Sequence, residues 1–79
     1  MSRWKKPLTA KEVCRIVKSL GFRHQSDEGG HEHWVRDEPP PFRKVTIAAH
    51  VAPFGHDLIH YMANQAGVSP REFCGALER

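Results

Sequence analysis

The chain has 79 residues, with 12 Lys and Arg against 9 Asp and Glu, which gives a net charge of +3. This length allows one small domain, residues 1–79, and the mildly basic balance favours a polyanionic partner without requiring one. No apolar run approaches membrane-spanning length, and the N-terminal residues lack the apolar segment of a secretory signal. Cys14 and Cys74 are far apart in predicted helices, so we expect free thiols. These features together predict a cytoplasmic protein.

The first predicted element is an amphipathic helix. Thr9 and Glu12 have the Thr-x-x-Glu spacing of a capping box, in which each side chain satisfies a free backbone donor of the other residue. Apolar residues then recur at helical spacing, and Gly21 follows as a stop signal. The apolar stripe consists of Val13, Ile16, Val17 and Leu20.

Three strands are predicted to follow this helix. Residues 22–26 and 31–36 flank the turn sequence Asp-Glu-Gly-Gly, which indicates a β-hairpin. The next stretch contains three consecutive prolines and must be a loop, because proline cannot donate to a sheet ladder. Residues 43–49 form the third strand, with Val45 and Ile47 on one face. Strands joined by short connections predict an antiparallel meander.

Two further helices are predicted after the sheet. Asp57 is the expected N-cap of the first, and Gly67 ends it. Ser69 and Glu72 form a second capping box, with proline at the first helical position of a short last helix. This order predicts an α+β two-layer sandwich in which the helices cover one sheet face and leave the other open. The apolar stripe of the longer helix consists of Leu58, Ile59, Met62, Ala63 and Ala66.

The 6 histidines are candidates for metal binding. His31 and His33 share a strand face, and His56 and His60 share a helix face. A zinc site needs three or four ligands, however, and no Cys-x-x-Cys or His-Glu-x-x-His pattern accompanies either pair. We therefore predict no metal and no other cofactor, with a histidine-rich metal protein kept as an alternative.

His31 is the candidate for acid–base chemistry. It follows Gly29 and Gly30, which let a substrate backbone come close. One histidine can act as general base or acid in phosphodiester transesterification, where the ribose 2′-hydroxyl attacks its own phosphate. The other interpretation is an ordinary exposed hairpin residue, and spacing alone does not decide between them. The role of Trp34 is equally undecided: it is either a core residue or an exposed platform that stacks on a base.

Five short motifs follow one another along nearly the whole chain. They are Lys-Pro-Leu-Thr-x-Lys-Glu-Val at 6–13, Leu-Gly-Phe at 20–22, Gly-Gly-His at 29–31, Val-Thr-Ile-x-x-His at 45–50 and Gln-Ala-Gly-Val-Ser at 65–69. In this order they resemble the HicA (YcfA-like) toxins of bacterial toxin–antitoxin systems. The resemblance implies a double-stranded-RNA-binding-like fold, a metal-independent ribonuclease that cleaves mRNA, and a HicB-type antitoxin that blocks the active site.

The resemblance also assigns roles to individual residues. His31 occupies the position of the catalytic histidine in the family's Gly-Ser-His motif. His50 matches a second recurrent histidine, which would supply a second acid–base group or a phosphate contact. Gly30 stands where the family usually has serine, so that hydroxyl is missing. Ala48 and Ala49 replace the usual Pro-Arg, which removes a cation.

Basic side chains are expected to neutralise the RNA backbone through salt-sensitive contacts. The alternative function is a non-catalytic RNA-binding module with the same fold, but duplex readers need basic residues at one helix end. The second predicted helix, residues 58–66, contains no Lys or Arg, so the sequence favours the ribonuclease toxin. The candidate RNA-binding residues are Lys5, Lys6, Arg23, Arg43 and Lys44, with Arg15 and Lys18 as alternatives.

Overall fold

The fold is the predicted α+β arrangement of a helix, a three-stranded antiparallel sheet and two further helices. A computed structural model describes residues 7–78, and the predicted RNA contacts Lys5 and Lys6 lie outside these residues. The strands follow one another across the sheet in the order β1-β2-β3. The elements are α1 Ala10–Ser19, β1 Arg23–Glu28, β2 His31–Arg36, β3 Arg43–Ala48, a 3₁₀ turn Ala49–Val51, α2 His56–Ala66, α3 Pro70–Gly75 and a 3₁₀ turn Ala76–Glu78.

Helix α1 begins at the predicted capping box. The backbone N–H of Glu12 donates to Thr9 Oγ1 at 3.1 Å, and the N–H of Thr9 donates to Glu12 Oε1 at 2.9 Å. Arg36 holds the other end of the helix, because its Nη1 donates to the carbonyl oxygen of Leu20 at 3.1 Å. The same guanidinium lies over the Phe22 ring, with its carbon 4.9 Å from the ring centroid. The helix is therefore fixed at both ends by side chains.

The hairpin turn is shorter than predicted. It consists of Gly29 and Gly30 alone, and β1 runs on to Glu28. Both glycines have positive φ, +57° and +85°. A two-residue turn needs these angles if its twist is to match that of the two flanking strands. The third strand ends one residue early, because the carbonyl of Ala49 accepts a hydrogen bond from Ala52 at 3.1 Å and bends the chain into the 3₁₀ turn.

The ends of the C-terminal helices differ from the prediction in detail. Asp57 is not the N-cap of α2: Gly55 occupies that position and the helix begins at His56. Asp57 lies instead in the first turn, where a carboxylate interacts favourably with the helix dipole. Ser69 caps α3, with its Oγ accepting from the N–H of Glu72 at 3.0 Å. Among the described residues the reciprocal bond of a capping box is not formed there.

The core lies between the helices and one face of β2 and β3. Val45 and Ile47 are fully buried on that face, as predicted, and Trp34 joins them with only 6% of its surface exposed. Trp34 is therefore a core residue and not a stacking platform. All six residues of β1 are exposed, so the helices do not cover that strand. Val35, on the opposite face, is fully buried, so the prediction that this face is open throughout is wrong there.

Two further predictions concern the cysteines and the membrane. Cys14 is partly buried, Cys74 is buried, and both are free thiols, as predicted. Across residues 7–78, no helix has the length and apolar character needed to cross a membrane.

Candidate active site

The structure brings together His31 and His50, the two histidines that the motifs single out. His31 is the first residue of β2 and pairs with Ala48, the last residue of β3. The chain then bends into the turn Ala49–Val51, which carries the His50 ring back towards His31. The ring centroids are 5.3 Å apart, with an angle of 81° between the planes. Two imidazoles thus meet edge to face at one corner of the sheet.

Gly30 lies beside the His50 ring. A Cβ atom built on Gly30 would lie 3.4 Å from His50 Nδ1. The positive φ of +85° also disfavours any L side chain at this position. Glycine at position 30 therefore suits both the tight turn and the close approach of His50.

A cleft of about 350 Å³ opens beside His31, between β3 and α2. This volume is at the lower end of the range of about 300–1,000 Å³ typical of small-molecule sites. Phe54 and Met62, which are buried in the core, close its inner side. The rest of the lining consists of His31, Thr46, Ala48, Val51, Leu58, Tyr61 and Gln65.

The rim of the cleft is unusually apolar for an exposed surface. Four large apolar side chains are exposed in residues 7–78, and three of them line this cleft. They are Val51, Leu58 and Tyr61, which are 43%, 38% and 62% exposed. The prediction that Leu58 belongs to the buried stripe of α2 is therefore wrong, since it lies on the rim. Tyr61 was not predicted as a site residue; the only signal for it is an aromatic side chain outside the apolar stripe.

Gln65 joins α2 to the outer edge of β3. Its Oε1 accepts a hydrogen bond from the backbone N–H of Thr46 at 3.2 Å. The NH₂ group of the same amide therefore points away from the Thr46 N–H, and it has no hydrogen-bond partner among residues 7–78. The Thr46 hydroxyl oxygen lies 3.4 Å from His33 Nδ1. Gln65 and Thr46 thus add an amide and a hydroxyl to the lining of the cleft, beside its apolar surfaces.

His33 lies on the same strand as His31 but has a different environment. Only 14% of its side chain is exposed, and its Nε2 lies 3.4 Å from Glu28 Oε1. It does not line the cleft, whereas Thr46, which it contacts, does. Its contacts are those of a packed polar residue within the sheet.

The predicted RNA-binding cations lie at the other end of the sheet from the histidine pair. Lys44 precedes Ala48 by four residues, which is about 13 Å along a strand. Arg23 is already paired, because its Nη1 lies 3.0 Å from Asp37 Oδ2. Arg43 packs its guanidinium against the backbone at the C-terminal end of α2. The structure thus groups these residues together but does not bring them to the histidines.

A separate cluster, on the sheet face that carries Trp34, could hold a metal ion. Ligand atoms of His24, Asp27 and Glu32 lie within 4.8 Å of one another, and within residues 7–78 this is the one such group of three. His24 Nε2 is 2.8 Å from Asp27 Oδ1, so the imidazole is already hydrogen-bonded. The histidine pairs considered from the sequence do not take part, and the absence of a metal stays a prediction.

Cys14 lies next to this cluster. Its thiol donates to Glu32 Oε1 at 3.5 Å. Burial, and after it the negative charge of Glu32, raise the pKa of the Cys14 thiol to about 11. Such a thiol is a poor nucleophile and a poor metal ligand at neutral pH, because both roles need the thiolate.

Comparisons of the chain with protein-family models, with curated proteins and with solved structures find no match. The candidate site is thus defined by its own geometry, the His31–His50 contact beside the cleft.

Proposed function

We propose that this protein is an endoribonuclease that cleaves RNA by histidine acid–base catalysis, with His31 and His50 as the catalytic pair. The observation that carries the proposal is the contact of the two rings, with centroids 5.3 Å apart, beside a cleft that His31 lines. Transesterification of RNA needs one group to accept a proton and another to donate one. Two adjacent imidazoles can fill both roles at a single phosphate.

The proposed reaction uses the RNA itself as the nucleophile. The ribose 2′-hydroxyl loses its proton to one imidazole, and its oxygen forms a bond to the adjacent phosphorus. The bond between phosphorus and the 5′-oxygen of the next nucleotide breaks, and the other imidazolium donates a proton to that oxygen. The products are a 2′,3′-cyclic phosphate and a 5′-hydroxyl end. Proton transfer of this kind contributes about 10²–10⁴-fold to a rate.

The cationic end of the sheet would hold the RNA at a distance from the reacting phosphate. Lys44 is exposed there and lies about 13 Å along β3 from Ala48. This distance suits a phosphate farther along the RNA chain than the one that is cut. Contacts of this kind provide affinity that does not depend on base sequence and weakens with salt. At the reacting phosphate itself the imidazolium form of either histidine would supply positive charge.

The biological role that we propose is that of a HicA-like toxin acting on mRNA in the cytoplasm and blocked by a HicB-like antitoxin. The five sequence motifs support it, together with the order of helices and strands that the resemblance implies. A net charge of +3 suits an acidic inhibitor, since opposite charges speed association. The inhibitor would act by covering His31 and its cleft.

The test compares RNA cleavage by purified wild type with that of His31→Ala, His50→Ala and the double variant. We expect each single variant to lose about 10²-fold or more, and the double variant to be little worse, because the two residues act as a unit. Cleavage should continue in excess EDTA, and the product ends should be cyclic phosphates.

The matched control is His60→Ala. His60 and His56 form another imidazole pair, with centroids 4.3 Å apart, but both are exposed on α2 and neither lines the cleft. This variant should cut RNA like wild type. A folded His31→Ala protein that also cuts at the wild-type rate would reject the mechanism. Binding of RNA without any cleavage by wild type would favour the non-catalytic RNA-binding module instead.

A further inference from the structure

We infer that the cleft beside His31 is a nucleobase pocket, in which one base of the RNA stacks on Tyr61 and meets the Gln65 amide. This inference rests on the proposed function, because the occupant is a nucleotide of the strand that is cut. The base belongs to a nucleotide next to the reacting phosphate, since His31 is common to the cleft and to the catalytic pair.

Tyr61 supplies the stacking surface. It lies on α2 with 62% of its surface exposed, although its ring is part of the cleft wall. An aromatic ring in this position gains from being covered, and the flat face of a base is a suitable cover. Val51 and Leu58 are also exposed on the rim and would contact the same base through apolar atoms. The pocket therefore provides apolar contact that any base can use.

Gln65 supplies the means to distinguish bases. Its Oε1 is held by the Thr46 N–H at 3.2 Å, so the orientation of the amide is fixed by the backbone of β3. The NH₂ group is then a donor for a carbonyl oxygen or ring nitrogen on the edge of a base. A site that uses a fixed donor discriminates against bases that place no acceptor in front of it. We therefore expect a base preference, and Gln65 should set it.

Binding is measured with four-nucleotide 2′-O-methyl RNAs, one for each base, and wild-type protein. The methyl group blocks the attacking oxygen, so affinity is measured without cleavage. Tyr61→Ala should weaken binding of the preferred oligonucleotide about 5- to 150-fold, the range expected for one lost base stack. Tyr61→Phe keeps the ring and should bind within about threefold of wild type.

The matched control is Asn64→Ala: Asn64 is exposed on α2 and lines a second cleft, which Tyr61 also borders, but not the cleft that contains His31. This variant should bind the RNAs like wild type. Gln65→Glu keeps an oxygen for the Thr46 N–H but replaces the donor with a second acceptor. Its added negative charge lowers the affinity for every RNA, so absolute affinities are not compared with those of wild type. The quantity compared is the order of affinity of the four oligonucleotides. We expect that ranking to change.

Equal binding by wild type and a folded Tyr61→Ala protein would overturn the pocket. So would equal binding of all four oligonucleotides, or an unchanged ranking in Gln65→Glu. These outcomes concern binding and are distinct from failure of the proposed function. That failure would be seen as RNA that stays intact after incubation with the wild-type protein. If Tyr61 matters for binding but wild type does not cut, the pocket stands as part of an RNA-binding module.

Discussion

Replacing Gly30 with alanine tests whether the close approach of His50 to the hairpin matters for catalysis. The new methyl group would lie 3.4 Å from His50 Nδ1, at the short end of ordinary van der Waals contact. The His50 ring would therefore shift by no more than a few tenths of an ångström from its present contact with His31. On the scale where about 1 Å of misplacement costs about 10²-fold, this predicts a measurable loss of cleavage rate of at most about tenfold.

The substitution also has a backbone cost that must be separated from the effect on His50. An L residue at positive φ costs about 1–2 kcal/mol. In a domain of this size each kcal/mol lowers the melting temperature by about 4–8 °C. Gly30→Ala should therefore melt several degrees below wild type and still be folded at the temperature of the assay.

Gly29→Ala is the matched control for that cost. Its φ is +57°, also in the left-handed region, but a Cβ there would have nothing within 4 Å. Both variants should lose similar stability in thermal melts followed by circular dichroism, and only Gly30→Ala should lose cleavage rate. If both variants cut RNA equally, the space beside His50 has no role in catalysis, and the reasoning that links Gly30 to the histidine pair is refuted.

Other substitutions test the cationic surface, the thiol and the first helix. Arg43→Ala and Lys44→Ala should each reduce the slope of log affinity for single-stranded RNA against log salt by about 0.7, measured by titration at several salt concentrations; an unchanged slope would remove that side chain from the interface. Glu32→Gln should increase the rate at which iodoacetamide modifies Cys14 at pH 8, because the carboxylate helps to hold the thiol pKa at about 11 and the thiolate is the reactive form. A rate equal to that of wild type would mean that burial alone sets this pKa. Thr9→Ala should lower the free energy of unfolding in urea by about 1 kcal/mol through loss of the capping box, and no loss would contradict the cap.

The parts of the fold that were predicted correctly depend on local rules. The capping pair Thr9 and Glu12, the positive φ of the two turn glycines and the apolar stripe of α1 each act over a few residues, and each was confirmed. The errors fall where tertiary packing decides. Asp57 could cap a helix by composition, but the helix begins at His56, two residues before the predicted start at residue 58.

The candidate site could be predicted only in part, for the same reason. Motif positions single out His31 and His50, but their contact depends on the bend at Ala49, which no local pattern in the sequence marks. Aromatic character alone does not separate Trp34, which is buried, from Tyr61, which is exposed in the cleft. That difference depends on which faces of the strands and helices pack together. The packing involves residues far apart in the chain, so no local sequence pattern predicts it.

The exposed strand β1 has a consequence for behaviour at high concentration. The outer edge of β3 is occupied at Thr46 by Gln65, whereas β1 lies at the other border of the sheet. An edge strand offers unpaired backbone groups to a second copy, and proteins limit this with charged side chains and bulges. The β1 sequence Arg-His-Gln-Ser-Asp-Glu is wholly polar, and its pairing is irregular between His24 and Ser26. Edge-to-edge aggregation should therefore be disfavoured during expression and purification.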